Sequence, residues 1–332
     1  MTAPIETTPG QAEAQPEAIL EGAGGGAIEG RSLGRIAWTR FKRDKVAVAG
    51  GVVVVLLILL AILAKPIESI FGLDPNEFHQ NLIDPSTTVP KGGMGGMSLH
   101  HLLGVDPQYG RDLLARIIEG SWVSLLVATG STLLSVVLGA VLGVIAGYYG
   151  GWVDSLISRA MDMFLAFPLL LFAISISASL QDGAFGLSGL PLRIGVLIFV
   201  IGFFSWPYMG RIVRGQTLSL REREFVEAAR SLGARGPYIL FRELMPNLVA
   251  PILVYSTLLI PTNILFEAAL SFLGVGIAPP QASWGGMLNS AVDLFYADPE
   301  FMIVPGVAIF ITVLAFNLLG DGLRDALDPR SK

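Results

Sequence analysis

Long apolar segments recur along the chain and are separated by polar ones. A helix needs about 20 apolar residues to cross the hydrocarbon core of a bilayer. Six segments approach or exceed that length, and we therefore predict an all-α membrane protein with six transmembrane helices. They cover approximately residues 46–64, 121–147, 156–180, 193–212, 248–272 and 303–320.

The N-terminal part of the chain divides into three segments. Residues 1–30 carry no apolar periodicity, and we predict a disordered tail there. Residues 31–45 hold six basic residues among apolar ones, which is typical of an amphipathic helix at a membrane surface, with a solvated linker as the alternative. We interpret 46–64 as a first anchor rather than a secretory signal, because Lys65-Pro66 follows where a cleavage site would lie.

The remaining chain is predicted to hold a single core domain. A long polar segment at 65–118 separates the first anchor from the rest and is predicted to be an extracytoplasmic loop. Residues 119–320 are predicted to form a five-helix core that contains a charged loop at 213–246. We expect residues 321–332 to form a cytoplasmic tail.

Composition and charge determine the class and the orientation. The chain is 52% hydrophobic and only 15% charged, whereas soluble domains carry about a quarter charged residues. Seventeen lysine and arginine residues lie on one side of the predicted spans and five on the other. The positive-inside rule then places both termini and the 213–246 loop in the cytoplasm, as in a multi-pass protein of a bacterial-type cytoplasmic membrane.

The charged loop between the fourth and fifth of the six predicted spans has the features of a protein-binding surface. Apolar residues at helical spacing, with small residues beside them, form one face of a predicted short helix. These residues are Phe225, Ala228, Ala229 and Leu232. Gly233 predicts the end of that helix, and Gly236-Pro237 predicts the start of a second one. The alternative is an ordinary solvated amphipathic helix between two spans.

Glycine and proline within the spans predict close packing and irregular backbone. Gly139, Gly143 and Gly147 recur at every fourth position, which either lets a neighbouring helix approach closely or is generic membrane-helix content. Pro251 and Pro261 are predicted to interrupt the span at 248–272.

Charged residues within the spans suggest function or buried partners. Glu267 either faces an aqueous path or hydrogen-bonds a neighbouring helix and stabilises packing. Asp162 is predicted to pair with Arg159 near the end of its span.

The sequence has no recognisable catalytic motif. It contains no GxxxxGK[ST] phosphate loop, no HExxH and no GxSxG, and it has no cysteine. His100 and His101 are adjacent but lack the spacing of metal ligands, so we predict no metal site. We therefore expect a non-catalytic chain with no cofactor of its own and no nucleic-acid partner, to which a separate subunit must supply any energy from ATP.

Several segments resemble one family. Glu227-Ala228-Ala229, followed by Gly233 and Pro246, is similar to the cytoplasmic loop of binding-protein-dependent ABC transporter permeases. Other segments resemble the C-type subunit of dipeptide, oligopeptide and nickel permeases, and the similarity covers roughly residues 33–330. These segments are LGVDPQYGRDLLARI, GYYGGWVDSLISRAMDMFLAFP, LSFLGVGIAPPQASWGGML and PGVAIFITVLAFNLLGDGLRDALDP. The sequence Glu243-Leu244-Met245 departs from the isoleucine and leucine usual in the family before its proline.

The resemblance implies a type I ABC importer permease fold with a cytoplasmic coupling helix. It also implies a second homologous permease subunit, two ATPase domains that bind ATP and magnesium, an extracytoplasmic solute-binding protein and membrane lipid as partners. The residues expected to couple to the ATPase are Phe225, Glu227, Ala228, Ala229, Leu232 and Gly233. Pro261 and Glu267 are candidates for a translocation path or gate.

The function implied is import of dipeptides or oligopeptides from the binding protein by alternating access. The same machine importing nickel or another solute is an alternative. A stand-alone secondary transporter is a further alternative, although no convincing repeat relates the two halves of the chain. A scaffold without transport is disfavoured by Glu267 and by the prolines of its span.

Overall fold

The computed structural model describes residues 33–180, 183–184 and 186–327. The predicted disordered tail at 1–30 and the end of the predicted cytoplasmic tail at 328–332 lie outside these residues. Helices dominate the described part of the chain, and the bridges between its extended segments are isolated residue pairs.

The helices differ widely in length. Their bounds are α1 Leu33–Phe41, α2 Lys45–Ile62, α3 Ala64–Phe71, α4 Leu113–Tyr149, α5 Gly151–Ala166, α6 Leu169–Ser179, α7 Gly189–Leu220, α8 Glu224–Ser231, α9 Gly236–Tyr238, α10 Met245–Phe272, α11 Trp284–Ala291 and α12 Glu300–Leu327. A π-helical turn, Ile239–Leu244, joins α9 to α10, so that Gly236–Phe272 forms one continuous element.

Five helical elements among the described residues are long and apolar enough to cross a membrane. They are α2, α4, α7, the continuous element Gly236–Phe272, and α12. A sixth crossing exists only if α5 and the first part of α6 are taken together, because these two helices meet at an angle of 77°. The all-α fold is confirmed, but the segment predicted as a span at 156–180 is broken.

The break between α5 and α6 has a local cause. Pro168 has no backbone N–H, and its ring disfavours helical backbone at the preceding residue. Phe167 accordingly has an extended backbone with φ −81° and ψ 132°, and α6 starts immediately after the proline.

Pro251 and Pro261 behave differently from Pro168. Helix α10 runs without interruption through both residues, so the prediction that they break the span is wrong. Each proline removes one backbone hydrogen bond from the ladder of a 28-residue helix. The buried face of α10, which includes Leu248 and Ile264, keeps its packing on both sides of these positions.

The ends of the predicted segments also differ from the structure. The amphipathic helix predicted at 31–45 ends at Phe41. Three residues later, Asp44 caps α2 by accepting hydrogen bonds from the Val46 and Ala47 amides. Helix α12 continues to Leu327, so the first residues of the predicted tail are helical.

Helices α4 and α7 pack with their backbones in direct contact. A Cβ atom at Gly143 would lie 2.6 Å from the Gly210 carbonyl oxygen, and one at Gly139 would lie 2.7 Å from Met209 Cβ. From the other helix, a Cβ atom at Gly202 would lie 2.7 Å from the Ser131 carbonyl oxygen. Glycine at these positions therefore allows the close approach, which is the first of the two alternatives considered for the ladder.

Three apolar clusters surround this pair of helices. One joins α4 and α7 to α6 and to the end of α10. A second joins α4 and α7 to α8 and the π-helical turn. A third joins α4 to α2, α10 and α12. Helix α4 contributes to all three and is the centre of the described chain.

The polar segment between α3 and α4 is folded. Asp106 and Arg111 form a buried ion pair, and Asp112 accepts a hydrogen bond from the Ala115 amide at 2.8 Å and so caps α4. The same Asp112 lies 2.7 Å from Nδ1 of His101. Residues 72–112 close the α3–α4 end of the helices, and we call them the outer cap after the extracytoplasmic position predicted for this loop from the sequence.

The carboxylate of Asp298, just before α12, lies beside the outer cap. Asp298 is buried, and the position of a Cβ atom at Gly95 of the cap lies 3.5 Å from its carboxylate. Burial raises the pKa of Asp298 to about 6, and the neighbouring Glu300 carboxylate adds to this effect.

We predict that Gly143→Val destabilises the fold by about 1–3 kcal/mol, because the added methyl groups must separate α4 from α7. Thermal unfolding of the purified chain in detergent measures this. Gly215→Val is the matched control, since no atom lies within 4 Å of a Cβ at Gly215 on α7. Equal losses for the two variants would contradict the close contact.

We predict a pH-dependent effect of Asp298→Asn. Because the folded-state pKa of Asp298 lies above its ordinary value of 3.8, the stabilisation from its protonated form is complete below that value and is lost as the pH rises through about 6. The free energy of unfolding of the variant, compared with that of the parent, should therefore be about 1 kcal/mol higher at pH 8 than at pH 4.5. This figure allows for screening near the surface. Unfolding curves at both pH values measure it, with the exposed Asp293→Asn as control; a pH-independent difference would contradict the prediction.

Candidate functional site

Helix α8 is short and lies between two long apolar helices. Glu224 and Glu227 occupy its first turn and Arg230 its last turn, which places negative and positive charge where the helix dipole favours each. The sequence therefore supports a helix here although only a few residues are available to form it.

The end of α8 is a Schellman motif. Gly233 has φ +79°, and its amide donates to the Arg230 carbonyl at 2.9 Å. The Ala234 amide donates to the Ala229 carbonyl at 3.0 Å, which completes the motif. The prediction that Gly233 ends this helix is confirmed.

After α8, the chain leads into α10 through α9 and the π-helical turn. Pro237 lies in the first turn of α9, as predicted from Gly236-Pro237. The π-helical turn that follows buries Ile239, Leu240 and Leu244. The α8 segment is therefore held to the helices below it by a continuous apolar surface.

Val226 is the buried anchor of α8. It is completely buried and packs in the cluster formed by α4, α7 and the π-helical turn. The helical spacing of Phe225, Ala229 and Leu232 predicts a different apolar face, which does not include Val226. Of these, only Ala229 packs against the cluster, whereas Leu232 is 88% exposed.

Most of the residues assigned to coupling lie on the exposed side of α8. We call them the α8 surface: Phe225, Glu227, Ala228, Leu232 and Gly233. Beside it is an open pocket of about 450 Å³ that has both polar and apolar walls. The pocket is lined by Ala229, Leu232, Gly233, Ala234, Arg235, Tyr238 and Glu243.

Three contacts tie the α8 segment to the end of α4. Arg221 donates a hydrogen bond to the Gly147 carbonyl at 3.0 Å. The Arg230 guanidinium lies over the Tyr148 ring at 5.5 Å. A Cβ atom at Gly236 would lie 3.2 Å from the Tyr149 hydroxyl oxygen. No sequence pattern indicates these contacts, since the residues are far apart in the chain.

Two aspartates of α5 pair with arginines of α7. Arg214 donates two hydrogen bonds to Asp154, one of them from Nη2 at 2.7 Å. Arg211 donates from Nη2 to Asp162 at 2.6 Å. The prediction that Asp162 pairs with Arg159 is therefore wrong. Its partner is Arg211 of α7 and not Arg159, which lies three residues earlier on the same helix.

Glu267 and Pro261, the two candidates for a path or gate, are both buried in the chain. Glu267 accepts a hydrogen bond from Ser271 at 2.8 Å, and the Ser124 and Ser283 hydroxyls also face its carboxyl group. The carboxyl group thus connects α10 with α4 and with the first residues of α11. This geometry favours the packing alternative for Glu267.

Comparisons with known proteins agree with this architecture. Residues 139–332 match the family described as the inner membrane component of binding-protein-dependent transport systems. Residues 32–84 match the N-terminal transmembrane domain of oligopeptide transport permease C.

The chain is also similar to curated proteins of enteric bacteria. It is 43% identical over 295 residues to the glutathione transport system permease protein GsiD of Shigella flexneri, covering 89% of this chain and 90% of that protein. It is 43% identical over 302 residues to the protein of the same name from Salmonella typhimurium, covering 91% and 92%.

A solved structure shares the fold. The inward-facing structure of the MetNI methionine ABC transporter aligns with a TM-score of 0.52 at 19% identity, covering 65% of this chain and 98% of the other. The family model spans more than half of the chain, and the GsiD relatives span most of it. The chain therefore belongs to the inner membrane components of binding-protein-dependent transport systems, as a non-catalytic permease subunit of an ABC importer.

Proposed function

We propose that this permease subunit takes peptides from an extracytoplasmic binding protein and passes them across the cytoplasmic membrane by alternating access. The observation that carries the proposal is that α8 has one buried side and one exposed apolar side. Val226 is buried against the membrane helices, while Leu232, six residues further along at the end of α8, is 88% exposed. A helix attached on one side and apolar on the other is suited to receive a second protein.

The partner proposed for the α8 surface is an ATPase domain. The open pocket beside Gly233 can accept a projecting side chain, and Ala228 lets the partner's backbone come close. Glu227 offers a carboxylate for a polar contact. We place ATP and magnesium on the ATPase domains, because this chain has no phosphate-binding motif.

The contacts around α8 support transmission of force by a rigid unit. Arg221 and Arg230 hold the segment to Gly147 and Tyr148, so that a displacement of α8 also displaces the end of α4. Helix α4 is packed backbone to backbone against α7, and the two helices would move together. Closure of two ATPase domains would thus change the opening between this subunit and a second, homologous permease subunit.

The orientation proposed follows from the distribution of basic residues. With both termini in the cytoplasm, α8 faces the compartment that contains ATP and the outer cap faces the binding protein. Peptides are proposed as solutes because the similar GsiD proteins are named for glutathione, which is a tripeptide. Uptake by vesicles that contain the complete transporter, assayed with glutathione, a dipeptide, a pentapeptide and nickel, tests this. ATP-dependent uptake of nickel alone would replace the peptide assignment.

We predict that Gly233→Val separates ATP hydrolysis from transport. The substitution forces a β-branched residue into a positive-φ position, at a cost of about 1–3 kcal/mol, and adds a side chain to the α8 surface. We expect the complex to assemble and hydrolyse ATP while solute uptake falls about tenfold. Uptake and phosphate release in the same vesicles measure both rates.

Gly72→Val is the control for the backbone strain of that variant. Like Gly233, Gly72 has a positive φ (+64°) and no atom within 4 Å of a Cβ position, but it is the first residue of the outer cap. Transport should survive in this variant. Unchanged uptake in Gly233→Val would remove the coupling role from the α8 surface.

We predict that Val226→Ala loosens α8 by roughly 2 kcal/mol, because it deletes two buried methyl groups and leaves a cavity. Hydrogen exchange of the α8 amides should become faster, and ATP-driven uptake should fall. Phe225→Ala is the control for exchange, since the Phe225 side chain is on the exposed side. If both variants exchanged at the parent rate, Val226 would not be the anchor.

A further inference from the structure

The break between α5 and α6 places non-helical backbone and the uncapped start of α6 within an apolar segment. No charged residue lies between Asp162 and Asp182 along the chain, so the break at Phe167 and Pro168 is at membrane depth. Both residues are exposed in the described chain. Non-helical backbone at this depth is tolerated only where protein covers it or where it lines a water-filled cavity.

A half-exposed ion pair lies close to the break. The side chains of Asp162 and Arg211 are 54% and 52% exposed. In the described part of the chain a single hydrogen bond joins them, which leaves one carboxylate oxygen and most guanidinium N–H groups outside this bond. The neighbouring pair, Asp154 and Arg214, has two hydrogen bonds and is less exposed.

An aromatic groove adjoins the ion pair. It has a volume of about 290 Å³ and lies between the end of α5, the start of α6 and the middle of α7. Its walls are Met163, Phe164, Phe167, Phe172, Phe203 and Phe204. The groove residue Met163 follows Asp162 on α5, and the groove residue Phe204 lies about two turns before Arg211 on α7, so the groove and the ion pair lie along the same two helices.

Three environments could cover this surface. Lipid is disfavoured at the break, because hydrocarbon supplies no hydrogen bonds to the uncapped start of α6, and beside the ion pair, because charges are costly in hydrocarbon. A dry contact with a second permease subunit would bury an ion pair whose hydrogen bonds are mostly unfilled, which is unfavourable. Water remains, together with a solute that carries both charged and apolar groups, as a peptide does. Discontinuous membrane helices are also the usual place for solute sites in transporters.

We propose that the α5–α7 surface formed by Asp162, Arg211 and the aromatic groove lines the solute pathway of this permease. The ion pair contacts the charged groups of the solute, and the phenylalanine side chains contact its apolar part. This inference rests on the proposed transport function. It places the pathway on a different surface from Pro261 and Glu267.

The absence of cysteine from the chain allows a direct test. Met163→Cys and Phe167→Cys are introduced singly into the complete transporter in inverted membrane vesicles, and a membrane-impermeant methanethiosulfonate reagent is added. The control is Leu133→Cys on α4, where the side chain is 66% exposed but no charge or helix break is near. We expect both test positions without nucleotide to be labelled about tenfold faster than the control, since the reactive thiolate needs water. Vanadate trapping should slow their labelling about tenfold, as alternating access requires.

The other results would overturn the inference. Labelling as slow as in Leu133→Cys would mean that lipid or protein covers the surface. Labelling in the isolated chain but not in the complete transporter would identify the second permease subunit as the cover. Fast labelling that ignores vanadate would exclude the pathway. ATP-driven peptide uptake is measured on the same vesicles: normal uptake with slow labelling refutes only this inference, whereas no ATP-driven uptake by the parent refutes the proposed function.

A second variant tests the charges themselves. In the Met163→Cys background, Asp162→Asn removes a negative charge next to the thiol and leaves the size of the side chain at position 162 nearly unchanged. The ratio of cationic to anionic reagent labelling should fall by about threefold, as expected for one charge a few ångströms away in water. The matched change in the less exposed pair, Asp154→Asn, should leave the ratio near the parent value. An unchanged ratio in Asp162→Asn would overturn the assignment of this ion pair to the pathway.

Discussion

The backbone contact between α4 and α7 is the interaction on which the rest of the structure depends. Apolar helices in a bilayer are not driven together by water, so their association relies on packing and on a few polar contacts. Glycine at positions 139, 143 and 202 removes the side chains that would hold the two helices apart. Because α4 also contributes to the clusters with α2, α10 and α12, the position of almost every other span follows from this pair.

The same contact explains how a small cytoplasmic segment can act on the membrane helices. Gly147, the last glycine of the ladder, faces Thr217 of α7 and also accepts the hydrogen bond from Arg221. The α8 segment therefore begins where the tight packing ends. A flexible attachment would absorb a displacement of α8, whereas a segment anchored by Val226 and by the π-helical turn passes it to two long helices at once.

The sequence alone predicted what depends on local chemistry. Apolar length located the spans, and Gly233 located the end of α8, because few other residues adopt its backbone conformation. Helical spacing did not decide which side of α8 faces the protein, since Phe225 and Val226 both begin acceptable apolar stripes. Proline did not decide helix breaks either. Pro168 follows an extended residue and ends a helix, whereas α10 continues through Pro251 because its buried face packs on both sides.

Asp162 and Glu267 show why charges within spans need a structure to interpret. Both are acids in apolar segments, and the sequence offers no reason to treat them differently. Glu267 is completely buried among serine hydroxyls of its own chain, and Ser271 donates a hydrogen bond to it, so no side of this carboxyl group is open to the surroundings. Asp162 has one arginine and an open side. A charge that its own subunit leaves half exposed between two predicted spans can contact water or a solute from outside that subunit. The α5–α7 surface is therefore the part of this fold where charged side chains are only partly hydrogen-bonded within the described chain.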